Sequence, residues 1–135
     1  MRYVISYVST INPQVSDMNV TELMDHVKHR NTDLEITGIL IYSEGNFFQV
    51  LEGEKDIIHS IFNKIKNDTR HYNIIKILDK EIEDHSFSKY HSSFTVISNH
   101  YSHRELQLFL EQQKKDNPEH FQSISYLTQK FMKLS

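Results

Sequence analysis

An α+β sandwich with the element order βαββαββ, followed by two C-terminal helices, is the fold class this sequence predicts, on three observations. Residues alternate from Arg2 to Val8 as a pleated strand requires, with apolar groups on both faces. Two β-rich runs, 36–42 and 47–51, are separated only by Ser43-Glu44-Gly45-Asn46, a turn whose Gly tolerates positive φ. Two stretches of helical periodicity interleave with these strands, so short loops must fold each helix back across one sheet.

Each element has its own signals. The first strand carries Tyr3, Ile5 and Tyr7 on one face and Val4, Ser6 and Val8 on the other, which marks it as central. Asn12-Pro13 opens a loop, and Asn19 with Glu22 reads as a capping box ahead of the stripe Val20, Leu23, Met24 and Val27, in a helix expected to end near Arg30. After the hairpin, Ile57, Ile58, Ile61, Phe62 and Ile65 form the apolar face of a second helix over 55–67. A fourth strand is expected over 73–78 and a fifth over 89–97. Right-handed crossovers put both helices on one face, a ferredoxin-like arrangement.

Two further helices follow, 102–115 with the capping pair Ser102 and Glu105, and 117–133 with Pro118 in the first turn. Their stripes, which include Leu106, Phe109 and Leu110, then Phe121, Ile124, Leu127 and Phe131, need a surface to cover, either the open face of the sheet or another subunit. The division expected is therefore 1–98 for the sandwich and 99–135 for a two-helix extension.

Composition narrows the function classes. A chain of 135 residues is one domain with room for a self-sufficient core. With no Cys, thiol catalysis, zinc ribbons and iron–sulfur clusters are excluded. The 15 basic and 18 acidic side chains leave a net charge of −3, which speaks against direct nucleic-acid binding. A mean hydropathy of −0.54, no long apolar window and an N-terminus that reads as a strand rather than a leader give the expectation of a cytoplasmic protein with no membrane partner.

No P-loop, G-x-G-x-x-G, G-x-S-x-G or paired-acid spacing is present, so the chain is read as non-enzymatic. His26 and His29 share a helical face but lack a third ligand, and the nine His read mainly as a solvated set. Glu52-Gly53 reads as the turn that ends the third strand. Gln49, inside Phe47-Phe48-Gln49-Val50-Leu51, is the informative oddity. A buried amide needs partners, and a satisfied core amide or a polar ligand would each supply them.

The ordered set Tyr7-Val8-Ser9, Asn31 after the first helix, Ile36-Thr37-Gly38, Phe47-Phe48-Gln49-Val50-Leu51-Glu52-Gly53 and Asp68-Thr69-Arg70-His71 resembles the BLUF domain, a family of blue-light sensors that use flavin. The match spans about residues 1–97. The resemblance implies FAD, with FMN or riboflavin as alternatives, bound non-covalently between the two helices. It implies that Tyr7 donates an electron and a proton to the excited flavin and that Gln49 relays between that phenol and the ring edge. It further implies that Asn31 pairs with the ring's C4=O and N3–H, and that Ser9, Lys64, Asp68, Arg70 and His71 belong to the cofactor site.

Where the family commonly has Trp-x-Met on the fifth strand, this chain has Tyr90-His91-Ser92, so Tyr90 and Ser92 stand at the signal-output positions with altered chemistry. The expectation is a short photoreceptor without an effector domain. Its output would run through protein–protein contact, by homo-oligomerisation or through a separate regulatory protein. Two alternatives remain: a flavin module with lost or altered photochemistry, and a cofactor-free interaction domain.

Overall fold

A computed structural model describes residues 1–82 and 94–97, together with residues 107, 108, 110, 111, 114, 115, 118, 121, 122, 125 and 126. The elements are β1 (Arg2–Ile11), α1 (Asp17–Asp33), β2 (Thr37–Ser43), β3 (Asn46–Glu54), α2 (Lys55–Lys66), β4 (His71–Ile82) and β5 (Thr95–Ile97). They form one sheet in the order β4-β1-β3-β2-β5, antiparallel except for the parallel pairing of β5 with β2. β1 is interior, as its two-faced pattern predicts. Of the predicted fifth strand, residues 89–93 lie outside the described residues.

α1 departs from the predicted bounds at both ends. Ser16 is its cap, accepting the Asn19 backbone N–H at 3.2 Å, so Asn19 sits inside the first turn and gives up its N–H instead of opening the helix. At the other end the helix runs past Arg30 and closes on a Schellman motif: Ile36 N–H to Asn31 C=O at 2.8 Å and Glu35 N–H to Thr32 C=O at 3.0 Å. Glu35 takes φ 58, the left-handed position usually given to Gly, which is why the sequence hides this stop. Asn31 is thus in the last turn of α1, not after it.

The hairpin is as read. Ser43 pairs with Asn46, and Glu44 (φ 48) and Gly45 (φ 79) make a two-residue turn with both central residues at positive φ. β3, however, continues through Glu52 and Gly53 instead of ending there. Gly53 packs closely under α2: a Cβ on it would lie 3.3 Å from the Ile58 side chain, which would have to give by a few tenths of an ångström. β4 is longer than predicted at both ends: Asn73 at φ 55 sits in an irregularity of the β1–β4 ladder beyond which pairing reaches back to His71, and at the other end pairing with β1 continues to Ile82.

Two apolar layers result. Ile5, Tyr7, Phe47 and Leu51 face the helices and pack with Val20, Met24, Val27, Ile58, Ile61, Phe62, Ile65 and Phe94. On the opposite face Val4, Ile39, Ile41, Phe48, Val50 and Ile82 pack with Leu110, and Phe121 joins them. Among the described residues of the C-terminal segment, these two aromatic and aliphatic groups therefore cover the open face of the sheet, the first of the two surfaces predicted for them. Leu108 and Tyr126 point to solvent, 54% and 63% exposed.

Candidate functional site

A cleft opens between the two helices at one end of the sheet, about 480 Å³ including its mouth. Its floor is Tyr7 of β1, Phe47 and Gln49 of β3 and Leu40 of β2; one wall is Leu23, Val27 and Arg30 of α1; the other is Ile65, Asp68, Arg70 and His71. An apolar hollow with a few convergent polar groups is the usual form of a small-molecule site.

The floor owes its chemistry to register. Tyr7 and Gln49 are directly paired across β1 and β3, on the helix-facing side, so both side chains rise together. The phenol oxygen and the Gln49 carboxamide hydrogen-bond at 2.5 Å, with Tyr7 3% and Gln49 2% exposed. With the amide nitrogen donating to Tyr7, Gln49 Oε1 has no partner among the described residues. Burial pushes the Tyr7 phenol well above its ordinary range, more than the bond to Gln49 and the nearby Arg30 bring it down, so the proton stays on the phenol at neutral pH.

A second carboxamide is equally buried. Asn31 is 0% exposed; its Oδ1 accepts from Arg30 Nε at 3.2 Å, while its Nδ2 has no partner among the described residues. Leaving a buried donor or acceptor unmet costs about 1–3 kcal/mol, so two such atoms by one cleft are what a ligand with a polar edge would satisfy. Flavin, an apolar ring system with a carbonyl and ring-nitrogen edge, fits this donor set.

The second wall is organised around His71. Its Nε2 meets the Ile65 carbonyl at 2.7 Å, and a carbonyl only accepts, so Nε2 carries the proton. In the neutral ring Nδ1 is then the acceptor, and the buried Ser9 hydroxyl donates to it at 2.7 Å. The imidazole stands edge-on to Tyr7 and Phe47, with centroids 6.2 and 6.3 Å away. Asp68 receives Arg70 through Nε at 2.9 Å and Nη2 at 2.6 Å, and also its backbone N–H at 3.0 Å. That guanidinium holds the Asp68 carboxyl below the usual carboxylate range, and Asp68 in turn raises Arg70.

Of the residues singled out from sequence, Tyr7, Gln49, Asp68, Arg70 and His71 line the cleft, Ser9 supports it from behind His71, and Asn31 lies beside it beneath Arg30. Lys64 does not join them: it is exposed on α2 and does not line the cleft, because the inward face of that turn belongs to Ile61 and Ile65. Tyr90 and Ser92 lie outside the described residues, as do His100 and His103. His26 and His29 gather no metal-ligating group, and none occurs among the described residues. Arg30 is the lining residue that sequence reading missed, since a lone Arg in the last helical turn looks like a solvated charge. Among the described residues no helix is long and apolar enough to cross a membrane.

Comparison with known proteins agrees with this geometry. The family model described as "BLUF: Sensors of blue-light using FAD" matches residues 3–93. The photoactivated adenylate cyclase subunit beta of Euglena longa is 31% identical over 83 residues, 62% of this chain and 10% of that protein. The blue light- and temperature-regulated antirepressor BluF of Escherichia coli is 35% identical over 72 residues, 53% of this chain and 18% of that protein. This chain thus spans a tenth to a fifth of these two curated relatives. Among solved structures, BlsA in its photo-activated state is similar with a TM-score of 0.63 at 26% identity, covering 82% of this chain and 93% of that one. Klebsiella pneumoniae BlrP1 superposes with a TM-score of 0.72 at 24% identity over 93% of this chain and 32% of that one, a likeness of fold. The sandwich, its paired Tyr and Gln and a family match across most of the chain place this protein in the BLUF family of flavin-binding blue-light sensors.

Proposed function

We propose that this chain senses blue light through a flavin seated in the cleft between α1 and α2, and that Tyr7 and Gln49 are its switch. The observation that carries this is the buried Tyr7–Gln49 bond at 2.5 Å, whose amide keeps one unpaired atom. The bound flavin supplies blue absorption and an excited state that is a strong oxidant. Tyr7 holds the transferable proton at its phenol oxygen. A phenol donates and accepts, and a carboxamide has one end of each kind, so turning or tautomerising Gln49 reverses the direction of the bond. Asn31, Arg70 and His71 orient the ring, Ser9 fixes His71, and Asp68 fixes Arg70. FAD is the cofactor favoured by the family's description, with FMN and riboflavin as alternatives.

One remade hydrogen bond is worth about 1 kcal/mol, whereas moving a two-state element from 1:99 to 99:1 takes about 5.5 kcal/mol. Several contacts must therefore shift together. Thr32, next to Asn31, accepts the Phe94 N–H at 3.3 Å, and Phe94 is fully buried in the helix-side core at the entrance to β5. This joins the cofactor side of α1 to the strand that follows Tyr90 and Ser92, the output positions in this reading. Output goes to a second copy or a separate regulatory protein through the 99–135 extension, in the cytoplasm, without chemistry of its own.

The test is the absorption spectrum of purified protein before and after blue light, with chromatography of the released cofactor. A flavin spectrum that moves to the red and relaxes in darkness is expected. Colourless protein would select a cofactor-free interaction domain, and a flavin spectrum indifferent to light would select an altered module.

A further inference from the structure

The two buried carboxamides of the site differ in what their partners permit. Gln49 faces a phenol, which accepts a hydrogen as readily as it gives one, so either end of that amide can make the bond. Asn31 faces Arg30 Nε, and a guanidinium only donates, so the atom 3.2 Å away must be Oδ1 and Nδ2 must point elsewhere. Asn31 cannot relieve this by moving its backbone, because its own carbonyl is held by the Ile36 N–H at 2.8 Å in the helix-closing motif. Arg30 is half-buried, lines the cleft and touches Asn31, which has no exposure of its own.

We propose that Arg30 is a positioning residue that locks the Asn31 carboxamide in one orientation, offering its Nδ2 to a carbonyl of the bound flavin, so that Gln49 is the amide left free to turn. The assignment rests on the flavin reading above. It concerns which residue sets the polarity of the site, and nothing in the sequence distinguishes Arg30 from a solvated helix charge. The second lone pair of Oδ1 stays available to a ring N–H while Arg30 holds the first.

The experiment compares Arg30→Lys with Arg30→Met, both of similar reach, one keeping only donors and the other having none. The readouts are flavin dissociation constants by fluorescence and the carbonyl stretching bands of the bound flavin by infrared difference against apoprotein, both in darkness. Arg30→Met is expected to bind flavin roughly fivefold more weakly, the equivalent of one net hydrogen bond of about 1 kcal/mol, with a displaced or doubled carbonyl band. Arg30→Lys, which can only donate, is expected to keep the wild-type band.

Arg30→Glu, which offers only acceptors, turns the amide over and is expected to displace the band at least as far; it serves if Arg30→Met does not fold. Wild-type affinity and band in whichever of these two variants folds overturn the locking role while leaving the flavin reading intact. Wild-type protein that takes up no flavin overturns both.

Discussion

Tyr7 and Gln49 occupy matching positions on adjacent antiparallel strands, and their side chains close a buried hydrogen bond of 2.5 Å on the face covered by the helices. The register of one β-ladder therefore decides the chemistry. A slip of either strand by one residue would send its member of the pair to the opposite face, among Val4, Phe48 and Val50, and part the two side chains.

The pair is a coupled unit in the flavin-free protein too. Gln49→Leu strands the Tyr7 hydroxyl, and Tyr7→Phe strands both ends of the Gln49 amide, each at a cost of about 1–3 kcal/mol. The double variant removes every polar atom involved. Urea melts of apoprotein should give a double variant more stable than the sum of the singles predicts, with a coupling of about 1 kcal/mol.

Gly38 makes a sharper demand. It sits at φ +133 in β2, and a Cβ there would fall 1.9 Å from the Val50 carbonyl oxygen of β3. Neither strain nor clash can be relieved without parting the β2–β3 ladder. Gly38→Ala is expected to cost more than about 4 kcal/mol and to yield little folded protein, read by circular dichroism and soluble yield.

The two hydrogen bonds of His71 select one tautomer of its neutral ring. With Nε2–H given to the Ile65 carbonyl and Nδ1 receiving the Ser9 hydroxyl, nitrogen-15 spectra should show a protonated Nε2 and a bare Nδ1. Ser9→Ala removes the donor to Nδ1. A mixed tautomer signal in that variant, with a loss of about 1 kcal/mol in stability, is expected.

Acid should weaken the second wall first through Asp68. Arg70 lowers the Asp68 carboxyl in the folded state, so the stabilisation is complete above the unfolded value near 3.9 and disappears as pH falls through the lower folded value. The pair is partly exposed, 28% and 49%, which limits it to about 1 kcal/mol or less. Denaturation curves from pH 6 down to about 2 should show wild type losing its advantage over Asp68→Asn across that interval.

Sequence alone carries the sheet and the switch better than it carries the helix ends. Alternation exposes Tyr7 and Gln49 because a polar group on an apolar strand stands out within a few residues. Ser43-Glu44-Gly45-Asn46 reads directly as a turn because Gly meets a backbone need. By contrast, α1 ends at Asp33 on a closing motif whose left-handed residue, Glu35, is not glycine, so Asn31 looks like loop when it is helix. Glu52 looks like a strand end, yet it is fully buried within β3, on the face away from the helices. Arg30 and Lys64 look alike in sequence; only the helix rotation separates a lining cation from a solvated one.

The most direct measurement is the light-minus-dark absorption spectrum of flavin-loaded wild type beside Tyr7→Phe and Gln49→Leu. The account predicts a reversible red shift in wild type and yellow, flavin-loaded variants without it. An undiminished shift in either variant, or a wild type that binds flavin and does not respond, would contradict it.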